Sequence, residues 1–145
     1  MKEGAGTGWA AAEAERAFAK AVRQRRRASL RHRLRRRCAD CARLAVLELS
    51  ALCRSCAARG VHDIPLDAIA GSLEPNRAAQ FDSEFRPSPR MRRRWVSVWL
   101  AEHRGAVLPP IAVAPVGNAY AIRDGHHRVS VARARGAVSI RAVVA

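Results

Sequence analysis

From Trp9 to Arg27 the chain mixes alanine with basic residues and contains no proline or glycine, a composition that predicts a helix. A second helical stretch is expected from about Ser29 to Ala58, closed by Gly60. Beyond that point the pattern shortens. Val61-His62-Asp63-Ile64-Pro65-Leu66 alternates as a strand does, and Asp67 to Ala70 reads as a single helical turn. A polar, proline-containing loop from Gly71 to Pro87 carries Phe81 and Phe85. Ser88-Pro89 opens a helix, serine as N-cap and proline at the first helical position, which runs to about His103 and ends at Gly105. Its spacing sets Met91, Trp95, Val98, Trp99 and Glu102 on neighbouring turns and predicts that both tryptophans pack on a sheet. Strands follow at Ile111 to Ala114 and Ala119 to Arg123, joined by a Gly117-Asn118 turn; then come a helix stopped by Gly136 and a last strand from Val138 to Val144. The expected fold class is α/β (α+β): a compact unit over residues 60–145, preceded by a basic helical extension over residues 1–59.

The 145 residues suit one domain, or one small domain with an extension. The 49% apolar share leans on alanine, and only seven side chains are aromatic. The charge of +15 is uneven, +10 over residues 1–59 and +5 over residues 60–145. Such asymmetry marks a segment that meets nucleic acid or an anionic surface, although a solvated arginine-rich helix looks the same. The clusters Arg25-Arg26-Arg27 and Arg35-Arg36-Arg37 must face water or a polyanion, so these six are the candidate nucleic-acid contacts. No apolar run approaches the ~20 residues that cross a bilayer, which predicts no membrane partner. Met1-Lys2-Glu3-Gly4 does not begin an apolar secretory segment. The expected location is the cytoplasm, where thiols stay reduced.

The most concentrated chemistry lies in Asp124-Gly125-His126-His127-Arg128-Val129, between a strand and a helix. The first amides of a helix lack an internal partner and carry partial positive charge, so phosphate is favoured there. Gly125, His126, His127, Arg128 and Ser130 form the candidate phosphate or nucleotide site: arginine as a bidentate fork, the imidazoles as donors whose charge follows pH, the serine as a hydroxyl donor. Asp124 stands where a helix N-cap belongs. Asp124 and His126 are also the candidate catalytic acid and base.

Cys38, Cys41, Cys53 and Cys56 make two Cys-x-x-Cys pairs eleven residues apart, a spacing that suits tetrahedral zinc. The intervening residues 42–52 are strong helix formers. In one continuous helix Cys38 and Cys56 would stand about 27 Å apart and could not share an ion. On that helix all four fall on one stripe with Leu34, Ala45, Leu49 and Leu52, as small core residues do. Zinc requires a break near Leu44 or Ser50. Buried thiols, a zinc site and a redox dithiol all remain open.

The C-terminal unit resembles the ParB/sulfiredoxin-like superfamily, also described as ParB-like nuclease domains. The resemblance runs through Ile64 to Ile69, Gly71-Ser72, Phe81-Asp82, Phe85, Trp95, Leu108-Pro109-Pro110-Ile111 and Tyr120 to Ala132, within residues 61–145. It is strongest to small bacterial proteins in which a strand leads into DGHHRVSVA. The resemblance implies a mixed sheet and a nucleotide site for CTP, or for ATP or ADP, with magnesium. In ParB the corresponding turn reads Gly-Glu-Arg-Arg; in sulfiredoxin it reads Gly-Cys-His-Arg and supplies the reactive cysteine. Here His126 takes the cysteine position, which argues against sulfinic acid reduction. Gly71 to Arg77 keeps a loose echo of the arginine-bearing box of ParB. The leading expectation is a nucleotide- or phosphate-binding protein with a nucleic-acid-contacting basic arm. The rivals are a phosphotransferase or nuclease using the same pocket, and an interaction protein held together by zinc.

Overall fold

The computed structural model describes residues 5–35, 42–48 and 59–145. In chain order these form α1 (Ala5–Leu34), β1 (Gly60–Pro65), β2 (Ile69–Ser72), α2 (Pro75–Ala78), α3 (Arg92–His103), β3 (Ile111–Val116), β4 (Ala119–Asp124), α4 (His126–Ala134) and β5 (Ser139–Val144). One-turn 3₁₀ segments lead out of β1 at Leu66–Ala68 and into α3 at Pro89–Met91.

The five strands make one mixed sheet in the order β1-β5-β3-β4-β2. β1 runs antiparallel to β5, and β3 antiparallel to β4 across a tight hairpin. β5 is parallel to β3 and β2 is parallel to β4. The hairpin turn uses Gly117 at φ 58°, a left-handed conformation glycine adopts without strain. The α/β class and the mixed sheet expected from the sequence are therefore present.

Two apolar cores lie on either side of α4. One joins the sheet residues Ile64, Ile69, Ile111, Val113 and Ile122 to Phe81, Phe85 and the inward residues Val129 and Ala132 of α4. The other is helical: Ala14, Phe18 and Val22 of α1 meet Trp95 and Trp99 of α3 and Val131 of α4. The Phe18 ring lies 5.5 Å from that of Trp95, which stacks at 5.5 Å on Trp99. The expectation that both tryptophans pack on the sheet is thus corrected. They fill the space between helices, because α4 already covers that face of the sheet and α1 needs an apolar partner of its own.

Two further corrections concern the first sixty residues. The first helix continues without a break past Ala28-Ser29 as far as Leu34. Residues 43–48, expected to be helical, are extended and run beside β2. Leu47 N–H donates to Ser72 O at 2.8 Å and Ser72 N–H to Ala45 O at 2.9 Å, with Val46 paired in parallel to Ser72. Arg43 pairs antiparallel with Asp82. The unpaired edge of β2 overrides the helical propensity of this segment, as tertiary context often does. Gly71 permits the approach: a Cβ there would overlap the Ala45 carbonyl and stand 3.2 Å from its carbon. The four cysteines, Arg36 and Arg37 lie outside the described residues.

The helical core yields a direct test. Truncation of Phe18 to alanine leaves a cavity against Trp95, and urea unfolding should show a loss of about 3 kcal/mol. A loss under about 1 kcal/mol would mean that α1 contributes little to the folded unit.

Candidate anion-binding site

The turn that ends β4 is shaped by one glycine. Gly125 has φ 107° and occupies the N-cap position of α4. A Cβ at this position would come within 2.8 Å of Ile111 Cβ and 3.2 Å of Arg128 Nη2. Glycine is thus required twice, for its left-handed backbone and for the absence of a side chain against β3. Asp124, expected as the N-cap, is instead the last residue of β4. Because the chain reverses one residue later, its carboxylate faces outward and takes up guanidinium groups.

Two arginines reach it. Arg77 Nη1 donates to Asp124 Oδ1 at 3.1 Å from α2, and Arg128 Nη2 donates to Oδ2 at 3.0 Å from the first turn of α4. Arg128 also donates through Nη1 to Pro110 O at 3.0 Å and to Pro109 O. Its guanidinium therefore clamps the entry to β3 against the start of α4, which a freely presented anion fork would not do. Arg77 is more exposed, and Asp124 is the only hydrogen-bond or ion-pair partner of its side chain among the described residues. The amides of His126, His127 and Arg128 precede the first intrahelical bond, from Val129 N–H to Gly125 O at 3.0 Å. Two guanidinium groups and the positive end of a nine-residue helix thus converge on one point.

The imidazoles lie beneath that point. His126 is 1% exposed and His127 8%. A 2.7 Å hydrogen bond joins His126 Nε2 to Ser72 Oγ, which also accepts Glu74 N–H at 2.9 Å. Phe81 stacks on His126 with ring centres 6.1 Å apart and meets the edge of His127 at 5.2 Å. Neither Nδ1 has a partner among the described residues. Burial pushes the pKa of His126 down to about 4, helped by repulsion from Arg77 and His127 and opposed by Asp124. Burial also pushes His127 down to about 4, with repulsion from Arg94 and Arg77 adding to it. Both rings are neutral at pH 7, so the expectation of donors whose charge follows physiological pH is corrected. The arginines alone carry the positive charge here.

Ser130 faces away from the turn. It is 3% exposed, and its hydroxyl accepts Trp95 Nε1–H at 2.8 Å, so it links α4 to α3. Of the basic clusters, Arg26, Arg27 and Arg35 are exposed. Arg25 is half-buried, donates to Gln80 O at 3.2 Å, and has its pKa lowered by burial against a smaller raising effect of Asp82. Arg77, Ser72, Phe81 and Arg94 are not among the site residues expected from the sequence. The Gly71 to Arg77 echo was the signal for the first two, and the resemblance ran through Phe81-Asp82; nothing local marked Arg94. Among the described residues no group of three His, Cys, Asp or Glu side chains is placed to hold a metal ion.

No protein-family model matches the chain, and no curated protein matches it. A solved structure similar to it is that of sulfiredoxin from Arabidopsis thaliana, with a TM-score of 0.38 and 20% identity over 59% of this chain and 83% of that one.

Two outcomes follow from the geometry. Gly125→Ala should lose at least about 2 kcal/mol in chemical unfolding, from left-handed strain plus overlap with Ile111. The second concerns acid. Each histidine binds its proton less readily in the folded chain, near pH 4, than in the unfolded chain, near pH 6.5. The unfolded state therefore holds more protons between those values. Stability should be complete above about pH 6.5 and fall toward pH 4, by up to about 3 kcal/mol per imidazole. Thermal melting across this range checks it, and His127→Gln should flatten the decline; an unchanged slope would count against a buried neutral ring.

Proposed function

We propose that the turn at residues 124–128 binds the phosphate group of a nucleotide. The supporting observation is the meeting of Arg77 and Arg128 on either oxygen of Asp124, beside the first-turn amides of α4. A phosphate entering there would find guanidinium donors and helix amides together, with no titrating cation beneath. Arg77 would make the principal contact, since the carbonyls of Pro109 and Pro110 already engage Arg128. The residues fit phosphate better than a resident magnesium ion, because the nearby Asp124 carboxylate already carries two guanidinium groups. They also favour binding over catalysis: Asp124 held in this way is a poor general base, and His126 lies buried on Ser72. The exposed arginines Arg26 and Arg27 of α1, with Arg35 just after its end, support a second part of the proposal, contact with nucleic-acid phosphates without base reading.

Equilibrium binding of CTP, ATP, ADP and GTP, with and without magnesium, to the intact protein and to Arg77→Ala tests the first part. Saturable binding of one nucleotide, weakened about tenfold or more in the variant, is expected. Equal binding by both proteins, or by neither, would remove the site. Magnesium-dependent turnover that vanishes in Asp124→Asn would move the reading to phosphoryl transfer or phosphodiester cleavage.

A second reading concerns zinc at Cys38, Cys41, Cys53 and Cys56. Residues 43–48 are extended, so the continuous helix that would hold the two pairs about 27 Å apart is absent there. One equivalent of zinc in protein purified without added metal is the expected result, and metal-free folded protein would exclude it.

A further inference from the structure

A second basic recess lies away from the α4 turn, where the last turns of α1 face the paired segments 42–43 and 82–83. Its volume is about 240 Å³, and Arg25, Ser29, His32, Arg33, Arg43 and Ser83 contribute to its lining. Three guanidinium groups and two hydroxyls surround it. Among the described residues the side chains of Ser29, Arg33, Arg43 and Ser83 have no hydrogen-bond or ion-pair partner, and His32 Nδ1 is buried without one. The one carboxylate in the wall, Asp82, is turned to other work. It accepts Glu84 N–H at 3.0 Å, Arg86 N–H at 2.8 Å and Arg86 Nη1 at 3.4 Å. Burial already disfavours the charged form of Arg25. Asp82 offsets part of the repulsion among these three cations, and an anion bound among them would offset more of it.

Basic residues in the last turn of a helix also offset its negative end, and that accounts for His32 and Arg33. It does not account for Arg43. That residue comes from the extended segment and is brought here by its pairing with Asp82 and by Ser83 N–H donating to Ala42 O at 3.1 Å. Three separately positioned pieces of chain therefore meet at the recess: α1 with Arg25, Ser29 and the exposed Arg33, the 42–48 segment with the exposed Arg43, and the 82–83 segment with Ser83.

We infer that this recess is a second anion site, which takes a phosphate group between Arg33 and Arg43 with the hydroxyls of Ser29 and Ser83 as further donors. A nucleic-acid backbone or a small phosphate compound would present the same chemistry. The site is independent of the α4 turn, since no residue is shared between them.

Amide chemical shifts of the intact protein titrated with inorganic phosphate at low ionic strength report the two places separately. Saturable shifts at Ser29, His32, Arg43 and Ser83 are expected. Arg43→Ala should weaken them about fivefold or more, with Gly125 and His127 responding as before. Because Arg43 lies in a paired segment, Arg33→Ala on the helix serves as the second variant. Absent or non-saturating shifts, or unchanged affinity in both variants, would overturn the site whatever happens at the turn. A short DNA duplex separates the two sources. If the backbone is the ligand, duplex competes for the same amides, and either variant lowers the slope of log affinity against log salt by about one. If that slope stays fixed while phosphate still binds, the site stands and its ligand is a small phosphate compound.

Discussion

Burial of α4 on two sides is the constraint on which the rest of this structure depends. A helix against an open sheet buries one face; here Val129 and Ala132 enter the sheet core while Val131 enters the core built by α1 and α3. Ser130 adds a polar tie to Trp95 on the second side. Residues 126–132 are therefore almost wholly enclosed, and only the side chain at Arg128 reaches the rim. A helix held so completely cannot roll or slide. Its first amides point where the packing directs them, and the geometry of the turn is set in advance of any ligand.

That enclosure also divides the labour among the charged groups. Permanent cations, Arg77 and Arg128, stand at the surface and are balanced by Asp124. The imidazoles, which would otherwise titrate near neutrality, are pushed inward and kept uncharged, serving as flat polar spacers between Phe81 and Ser72. The field at the turn is consequently constant across the neutral range. Any anion attracted there meets guanidinium groups and a helix terminus, whose charge does not depend on small changes of pH.

The strand-turn-helix at residues 119–134 was legible because each local signal agreed with the tertiary outcome: alternation before it, glycine at the reversal, periodicity after it. The helix opening at Ser88-Pro89 and the Gly117-Asn118 hairpin could be read for the same reason. What failed did so where partners distant in sequence decide the conformation. Residues 42–48 are good helix formers, yet the open edge of β2 claims their backbone. Trp95 and Trp99 carry the periodicity of a buried face but no mark of what buries them. Arg77 lies 47 positions from Asp124, and only the parallel pairing of β2 with β4 brings its short helix alongside the turn. The motif announced its own residues, but the arginine that completes them came from elsewhere.

Ser72 carries a consequence of its own. Its backbone is gripped by Ala45 and Leu47, and its hydroxyl holds both the start of α2 and the ring of His126. One buried residue is thus a junction at which three stretches of chain are read together. Displacement of the segment 42–48 by even one residue of register would withdraw the amide and carbonyl that fix Ser72. The imidazole would then lose the hydrogen bond that anchors it. The short run between the two cysteine pairs is in this sense a tensioning strap for the floor of the α4 turn, and the shape of that floor is set partly by residues that never touch it.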